Sequence, residues 1–340
     1  MINLLNEFTQ MYNNYLKKYK QQRYNSSATY TATDIFQSLT KFISNAVYFS
    51  RFNDDNIKGE YLNKIHLFLC EHNFYDLLYK HLLTIYMEIT EYKSLEALSD
   101  DSTFIRNVNC SEFRSRNPHY NNKPGMKIHI RTDSNRVVLS VVCSDSTDSD
   151  SLFIKPLFDN MLISETILKK YTKRILCDSG YESLVNNHTV TEKGFEIYAG
   201  YNKSNMGKKT VSNKTSTVAL KGDIRKYKGR GIVENTFSNI HRYPVLTNNY
   251  ERTVKSYKGL FMFTLCTILA KKINTIISEK ANKDIRIKRE AENKRKRIQY
   301  TKKRKEAEKA KKKEYTIYKK VSAVKRKEGR KRTYKNRDSK

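Results

Sequence analysis

The chain has 340 residues, which is enough for one large domain or two smaller ones plus a tail. Its 66 Lys and Arg residues outnumber 35 Asp and Glu residues, and the net charge of +31 makes a polyanion the first expected partner. Five scattered cysteines without a C-x-x-C pair predict free thiols in a reducing compartment inside the cell, and the histidine spacing lacks the common zinc motifs. Because abundant Lys, Asn, Tyr and Ile are typical of AT-rich genomes, the charge supports nucleic-acid binding without proving it.

The apolar pattern of residues 1–94 predicts a helical N-terminal domain. Apolar residues follow the helical period in 33–49 and again in 61–89. The N-terminus is polar too early for a secretory signal. Two interpretations of this domain stay open: a small unit that docks on DNA ends, or a helical support for the domain that follows.

Residues 95–278 predict a second domain of α/β (α+β) class, because short strand-like runs are mixed with runs of helical spacing. Ser134 and Asn135 separate two alternating or β-branched runs, which predicts a β-hairpin. Because Lys127 and His129 alternate with isoleucines, we expect both side chains to face away from the core. Further elements are expected in chain order: a helix over 151–168, strands over 174–180 and 195–201, a loop over 202–226, and a helix that carries Glu234 and ends before Pro244.

The longest apolar run, 259–270, is bounded by lysines and is too short for a bilayer, which needs about 20 apolar residues. It predicts a buried core helix and no membrane partner. The composition of residues 279–340 predicts a basic tail. This segment has 28 Lys and Arg but 9 Asp and Glu, so its net charge of +19 accounts for most of the total of +31. Without a sustained apolar stripe, the tail is expected to be disordered or to form a solvated helix.

Three acidic positions stand in distinctive settings. Asp101 follows Asp100 in SDDSTFIRN, Asp178 ends a predicted buried strand in RILCDSG, and Glu234 lies on a predicted helix four residues after Arg230. Carboxylate oxygens are the ligands that Mg²⁺ and Mn²⁺ prefer, and two such ions can stabilise the attacking and leaving oxygens of phosphodiester cleavage. A single Asp is more often a solvated surface charge, so the prediction of a metal site depends on the joint pattern.

The motifs around these acids resemble the DDE transposases of bacterial insertion sequences, in the group with the Y-x2-R-x3-E signature. Four segments match in the family's order: Asp101 in the first; Lys127, His129 and Asp133 in the second; Asp178, Gly180, Tyr181 and Glu182 in the third; Tyr227, Arg230 and Glu234 in the fourth. The resemblance covers about residues 95–275. It implies a ribonuclease H-like mixed-sheet core.

The resemblance also implies a function. Asp101, Asp178 and Glu234 would be the catalytic residues and would hold Mg²⁺ or Mn²⁺, two ions in all. Contacts to double-stranded DNA, both element ends and target, would come from Tyr227, Arg230, His241 and Arg242. Hydrolysis at the element end would free a 3′-hydroxyl that then attacks target DNA, and the chain would be a homodimer in the DNA complex.

Two departures from the signature keep alternatives open. His241 stands where the signature has a final Lys, with Arg242 beside it, and Asp100 is a fallback for Asp101. The chain could therefore be a catalytically inactive DNA-binding derivative of a transposase, or a ribonuclease H-like nuclease. The basic runs at 294–297 and 302–305 would direct it to the nucleus in a eukaryotic host, and the cytoplasm or nucleoid is expected otherwise.

Overall fold

The structure is a computed structural model, and it describes residues 2–19, 30–45, 48–55, 57–181, 183–199 and 231–335. The chain divides into two compact units, Met1–Ile276 and Ile277–Lys340. The predicted loop over 202–226 lies outside the described residues.

The N-terminal part is helical, as its apolar period predicts. Its helices are α1 Leu4–Tyr19, α2 Ala32–Asn45, α3 Gly59–Glu71 and α4 Phe74–Thr90. The Phe8 ring lies 5.3 Å from the Phe74 ring and 6.2 Å from that of Phe263, which belongs to the last helix of the chain. The N-terminal helices and that last helix thus share one aromatic core, which favours the interpretation of a helical support.

The short apolar runs of the second region form a seven-stranded sheet. Its strands are β1 Ala97–Asn107, β2 Arg116–Asn117, β3 Lys123–Thr132, β4 Val138–Asp145, β5 Arg174–Cys177, β6 Glu196–Ala199 and β7 Asn248–Asn249. The long strands lie in the order β4-β3-β1-β5-β6, antiparallel across β4, β3 and β1 and parallel across β1, β5 and β6. This is the order of a ribonuclease H-like mixed sheet, so the predicted fold class and the predicted hairpin are confirmed.

From the end of β4 onward, helices are interspersed with the remaining strands. They are α5 Ile154–Asp159, α6 Glu165–Tyr171, α7 Leu184–Glu192, α8 Gly231–Ile240, α9 Pro244–Thr247 and α10 Val254–Lys335. The single helix expected over 151–168 is two helices, because Ser164 caps the second one by accepting a hydrogen bond from the Ile167 amide. Pro244 stands at the first position of α9, where its missing N–H costs nothing.

The two faces of the sheet carry different side chains, since residues alternate along a strand and directly paired residues share a face. We call the face that carries Asp101 and its partner Ile130 the site face. We call the opposite one the far face; it carries Asp100, Ser102, His129 and Arg131. Cys143 pairs with Ile128 on the site face and lines a cavity with Lys258 and Gly259 of α10, so α10 covers that face.

The far face is covered as well. The Phe158 ring of α5 lies 3.8 Å from the Arg131 guanidinium carbon. His129 is completely buried, and the Lys127 ammonium donates to the Asp150 carboxylate at 2.9 Å. The expectation that Lys127 and His129 face away from the core is therefore wrong, because α5 and the turn before it bury this side of β3.

One glycine fixes how β1 and β3 fit together. A side-chain carbon added to Gly125 of β3 would collide with the ring of Phe104 on β1. That ring also stacks on Tyr120, with centroids 4.2 Å apart. Only a residue without a side chain leaves space for Phe104 at this point of the hairpin.

The last helix, α10, has two different parts. Among the described residues, it is the one helix that is long and apolar enough to cross a membrane by length and composition. Its apolar residues are buried in the protein core, with Leu260, Met262 and Phe263 all fully inaccessible. The run 259–270 is thus a core helix, as predicted. From residue 278 to 327 nearly all described side chains are exposed, which is the solvated helix expected as one form of the tail.

Candidate active site on the central strands

The doubled aspartate lies in the middle of β1, and its two members point to opposite faces. Asp100 is completely buried on the far face, directly opposite Arg131. The Arg131 Nε and Nη2 atoms donate to its two carboxylate oxygens, each at 2.7 Å. Burial raises the pKa of Asp100, and the Arg131 charge and hydrogen bonds oppose that shift. Asp100 is therefore the fixed partner of a buried cation.

Asp101 is the member on the site face. It is half-buried, and its Oδ1 accepts a hydrogen bond from the Ser102 amide at 2.8 Å. Of the two aspartates, Asp101 is thus the one on the face that α10 covers. The fallback Asp100 lies on the other side of the strand.

Asp178 stands directly after β5, the parallel neighbour of β1. Asp100 of β1 pairs with Cys177 of β5. Since the two strands are parallel, Asp101 and Asp178, each one residue further on, also lie next to each other. The Asp178 Oδ1 accepts from the Ser179 amide at 2.7 Å, and its carbonyl accepts from the Tyr181 amide at 3.0 Å. Because adjacent strands are about 4.8 Å apart, the structure brings these two sequence-distant carboxylates side by side.

Glu234 lies in the first turn of α8 and is exposed. The helix contacts both β1 and β3. Its buried Thr236 and Ile240 share a cavity of about 120 Å³ with Leu265 and Leu269 of α10. The third carboxylate of the predicted set is thus carried by a helix that packs with α10, the helix that covers the site face.

The predicted DNA contacts are described only in part. Tyr227 and Arg230 lie outside the described residues. His241 directly follows α8 and is half-buried; burial lowers its pKa, and its buried Nε2 has no hydrogen-bond partner within the described ranges. Arg242 is exposed. At this end of α8, Arg242 is therefore the solvent-facing cation.

The donor set fits a hard divalent cation. Within the parts of the chain that the structure describes, no three His, Cys, Asp or Glu side chains are grouped closely enough to hold a metal ion. Asp101 and Asp178 nevertheless supply neighbouring carboxylates, and Glu234 lies on a helix that contacts β1. These are oxygen ligands, which suit Mg²⁺ or Mn²⁺ and not the nitrogen- and sulfur-rich sites typical of zinc.

Sequence reasoning missed a buried polar cluster behind this site. His129 bonds to Tyr181 and Ser144 on the far face, and Asp150 accepts hydrogen bonds from Ser102 and Lys127. The available signal was the K-x-H spacing, since a histidine between two buried isoleucines faces either solvent or a second packed layer. Whether solvent or a second layer lies on this side of β3 depends on α5, which covers it, and the sequence pattern of β3 alone gives no information about α5.

A mixed ribonuclease H-like sheet with neighbouring aspartates on its two central strands is the arrangement that the resemblance to DDE transposases implies. The sequence model of the family described as "Transposase DDE domain" matches residues 95–269, just over half of the chain. The chain belongs to this transposase family.

Solved transposase structures are similar at low identity. A cryo-EM structure of a piggyBac transposase synaptic complex with hairpin DNA shares 11% identity at a TM-score of 0.41, over 83% of this chain and 74% of that one. The catalytic domain of the Mos1 mariner transposase shares 10% identity at a TM-score of 0.29, over 59% of this chain and 92% of that one. No curated protein matches the sequence. The family assignment rests on the sequence match over 95–269.

Proposed function

We propose that the chain is an active DNA transposase, which cuts phosphodiesters at the ends of a mobile element and joins the freed 3′-hydroxyl to target DNA. The observation that carries this proposal is the placement of Asp101 and Asp178 side by side on β1 and β5, in a chain of the DDE transposase family. Asp100 is engaged with Arg131, so the proposed catalytic set is Asp101, Asp178 and Glu234.

These three carboxylates would hold Mg²⁺ or Mn²⁺, two ions in all. When bound, such ions lower the pKa of water and stabilise charge on the attacking and leaving oxygens. The chain's own contribution is to fix the carboxylates: the Ser102 and Ser179 amides each donate to one of the two aspartates. Holding the groups in place before reaction is how such a site accelerates an in-line displacement.

The partner we propose is double-stranded DNA, as element ends and as target. Arg242, exposed just beyond α8, is proposed to contact a DNA phosphate, and Tyr227 and Arg230 are proposed for the same role from the signature alone. The basic tail would add sequence-independent affinity. We also propose a homodimer in the DNA complex, and the nucleus or, in a bacterial host, the nucleoid as the place of action.

Strand cleavage of DNA that carries the element's own terminal repeats tests this proposal. The wild-type chain is expected to nick that DNA with Mg²⁺ or Mn²⁺ and not with EDTA. Replacement of Asp101, Asp178 or Glu234 by Ala should lower the cleavage rate by at least about a hundredfold, because transition-state stabilisation is lost. DNA binding, measured by fluorescence anisotropy in EDTA, should persist. Asp159→Ala is the matched control, since this acid lies on the surface of α5 with 51% of its side chain exposed. Undiminished cleavage by Asp178→Ala would refute the assignment.

One observation favours a second candidate, a DNA-binding derivative that has lost its chemistry. His241 takes the place of the signature's Lys, and its half-buried ring favours the neutral form. This candidate predicts DNA binding without metal-dependent nicking by the wild type, and a gene without flanking inverted repeats. His241→Lys should then restore nicking, whereas in an active transposase Arg242→Ala should weaken binding of the element end.

A further inference from the structure

A fully buried histidine lies on the far face, and the proposed chemistry does not use it. The His129 Nδ1 is 3.0 Å from the Tyr181 hydroxyl, and its Nε2 is 3.0 Å from the Ser144 hydroxyl. The Phe153 ring stacks on the imidazole with centroids 3.9 Å apart, which fixes the plane of the ring. Burial lowers the pKa of His129 to about 3, so the imidazole is neutral and carries one N–H.

The direction of these hydrogen bonds follows from the Ser144 hydroxyl. That hydroxyl donates its one proton to the Asp145 carbonyl at 3.1 Å. It can therefore only accept from His129, so the imidazole proton is on Nε2. Nδ1 is left as an acceptor, and the Tyr181 hydroxyl must donate to it. A directed chain runs from Tyr181 through His129 and Ser144 to the backbone of β4.

Tyr181 ties this chain to the candidate active site. It ends the short 3₁₀ turn Ser179–Tyr181 that directly follows Asp178, and its amide donates to the Asp178 carbonyl. The Tyr181 side chain is completely buried, and its own carbonyl accepts from the Asn186 side chain at 2.7 Å. The position of the Tyr181 ring therefore determines where the turn, and with it Asp178, lies.

A second contact holds the same turn from beneath. A side-chain carbon added to Gly180 would lie 3.3 Å from the Asp150 Oδ2, so the turn rests on that carboxylate. Asp150 is in turn fixed by Lys127 at 2.9 Å and by the Ser102 hydroxyl at 3.1 Å, and Ser102 is next to Asp101. The far face thus connects the two neighbouring aspartates through side chains that face away from the site.

We propose that His129 and Tyr181 form a positioning clamp that fixes the Asp178 turn relative to Asp101 and so sets the affinity of this carboxylate pair for a divalent cation. The inference rests on the proposed function for the role of that cation. Both clamp residues are completely buried, and neither is one of the proposed metal ligands. Partners of this kind, which orient ligands, typically change metal affinity about 10- to 100-fold when they are removed.

Two histidine substitutions separate the clamp from simple loss of packing. In His129→Asn, the amide oxygen lies near the former Nδ1 and can still accept from Tyr181. In His129→Gln, the amide nitrogen lies near the former Nε2, so the bond to Ser144 is kept and the bond to Tyr181 is lost. Mn²⁺ binding to the full chain, measured by electron paramagnetic resonance without DNA, should weaken about 10- to 100-fold in His129→Gln and in Tyr181→Phe. His129→Asn should stay within about threefold of wild type, a smaller change than the loss of an orienting partner produces.

Tyr257→Phe is the matched control. Tyr257 is also fully buried, and its hydroxyl donates to a backbone carbonyl, that of Leu246, at 2.7 Å. Its loss should lower stability about as much as Tyr181→Phe, by roughly 1 kcal/mol for one hydrogen bond. The Mn²⁺ affinity should stay unchanged. Hydrogen exchange of the 178–181 amides should accelerate only in Tyr181→Phe and His129→Gln.

The outcomes distinguish the clamp from the proposed function. Wild-type Mn²⁺ affinity in Tyr181→Phe, or an equal loss in Tyr257→Phe, would overturn the clamp even if the wild type cleaves DNA. If Mn²⁺ binding weakens in Tyr181→Phe and His129→Gln but not in His129→Asn or Tyr257→Phe, the clamp is supported. A wild type that binds Mn²⁺ yet never nicks DNA with its terminal repeats would then refute only the proposed activity.

Discussion

The two units of the chain use charge in opposite ways. The unit up to Ile276 contains buried or half-buried charges with fixed partners: Asp100 pairs with Arg131, both completely buried, and Asp150 pairs with Lys127. In the unit from Ile277, cations outnumber acids and the described charges lie on the surface of one helix, with ion pairs such as Arg286–Glu290 between exposed groups. The difference predicts that the exact position matters for the buried charges of the first unit, whereas only the total charge matters in the second unit.

The physical reason is the surrounding dielectric. A buried charge that loses its partner keeps its full desolvation cost, whereas an exposed pair in water contributes about 0–1 kcal/mol. Single substitutions of the buried charges in the first unit should therefore have large effects, and substitutions of exposed charges in either unit should have small ones. The following three predictions test that contrast.

The largest effect is expected at the Asp100–Arg131 pair. Asp100→Asn removes one buried charge, and the free energy of unfolding should fall by about 3–5 kcal/mol because Arg131 is left uncompensated. The exposed pair Lys155–Asp159 is the control, and Asp159→Asn should cost less than about 1 kcal/mol. Urea denaturation measures both. The double variant Asp100→Leu with Arg131→Met should recover much of the loss; a double variant as unstable as Asp100→Asn would contradict this explanation.

An intermediate effect is expected from acid, and again only in the first unit, since none of the seven histidines follows Ile276. Burial lowers the pKa of His66 to about 4 and that of His129 to about 3. Below pH 6.5 the unfolded chain binds these protons and the folded chain does not, so stability falls as the pH falls. Each histidine should cost up to about 1.4 kcal/mol per pH unit in that window.

Urea denaturation at pH 7.5 and 5.5 checks this dependence. The buried Asp100 and Asp133 act with the opposite sign, because burial raises the pKa of each, so the informative quantity is the difference between wild type and His129→Asn. That variant should lose roughly 1.4 kcal/mol less than wild type between the two pH values. Equal losses would mean that His129 takes up a proton in the folded state.

The smallest effect on stability is expected from removing the tail. A chain that ends at residue 278 should unfold with a free energy within about 0.5 kcal/mol of the full chain, because nearly all the described side chains beyond that point are exposed. Cleavage at low salt should persist. DNA binding should weaken, and the slope of log affinity against log salt should become shallower by roughly 0.9 for each phosphate that the tail neutralises in the full chain.

A tail with its residues in shuffled order is the control, since it keeps the +19 of the natural tail. It should restore the salt slope of the full chain. If the slope does not change on truncation, the tail does not contact DNA, and if the shuffled tail fails, position matters there too.

Much of the fold could be predicted from the sequence, because the signals for its turns, strands and helices are local. The hairpin turn at Ser134 and Asn135, the strand before Asp178 and the helix with Glu234 lie where the patterns predict them. Turn chemistry and apolar period act over a few residues, so they can be seen without knowledge of the rest of the chain. The break at Ser164 was missed because helical spacing continues across it.

The missing information was long-range. His129 meets Tyr181 across 52 positions, and Arg131 meets Asp100 across 31. Which member of the doubled aspartate lies on the site face depends on how β1 pairs with β3, and the order of residues in β1 cannot tell. Asp101, Asp178 and Glu234 as a catalytic set, and the contacts of Tyr227 and Arg230, remain predictions for the experiments above.

The doubled aspartate has a consequence for how the hairpin finds its pairing. A one-residue slip of β1 that brings Asp101 opposite Arg131 would exchange the two faces, yet a carboxylate would still stand opposite Arg131 and Asp100 would lie on the site face. The charges therefore hardly distinguish the two alignments. The fit of Phe104 over Gly125 does, because in the shifted alignment the ring would move away from the one position without a side chain. A glycine thus contributes to the choice of which of two neighbouring acids lies on the site face.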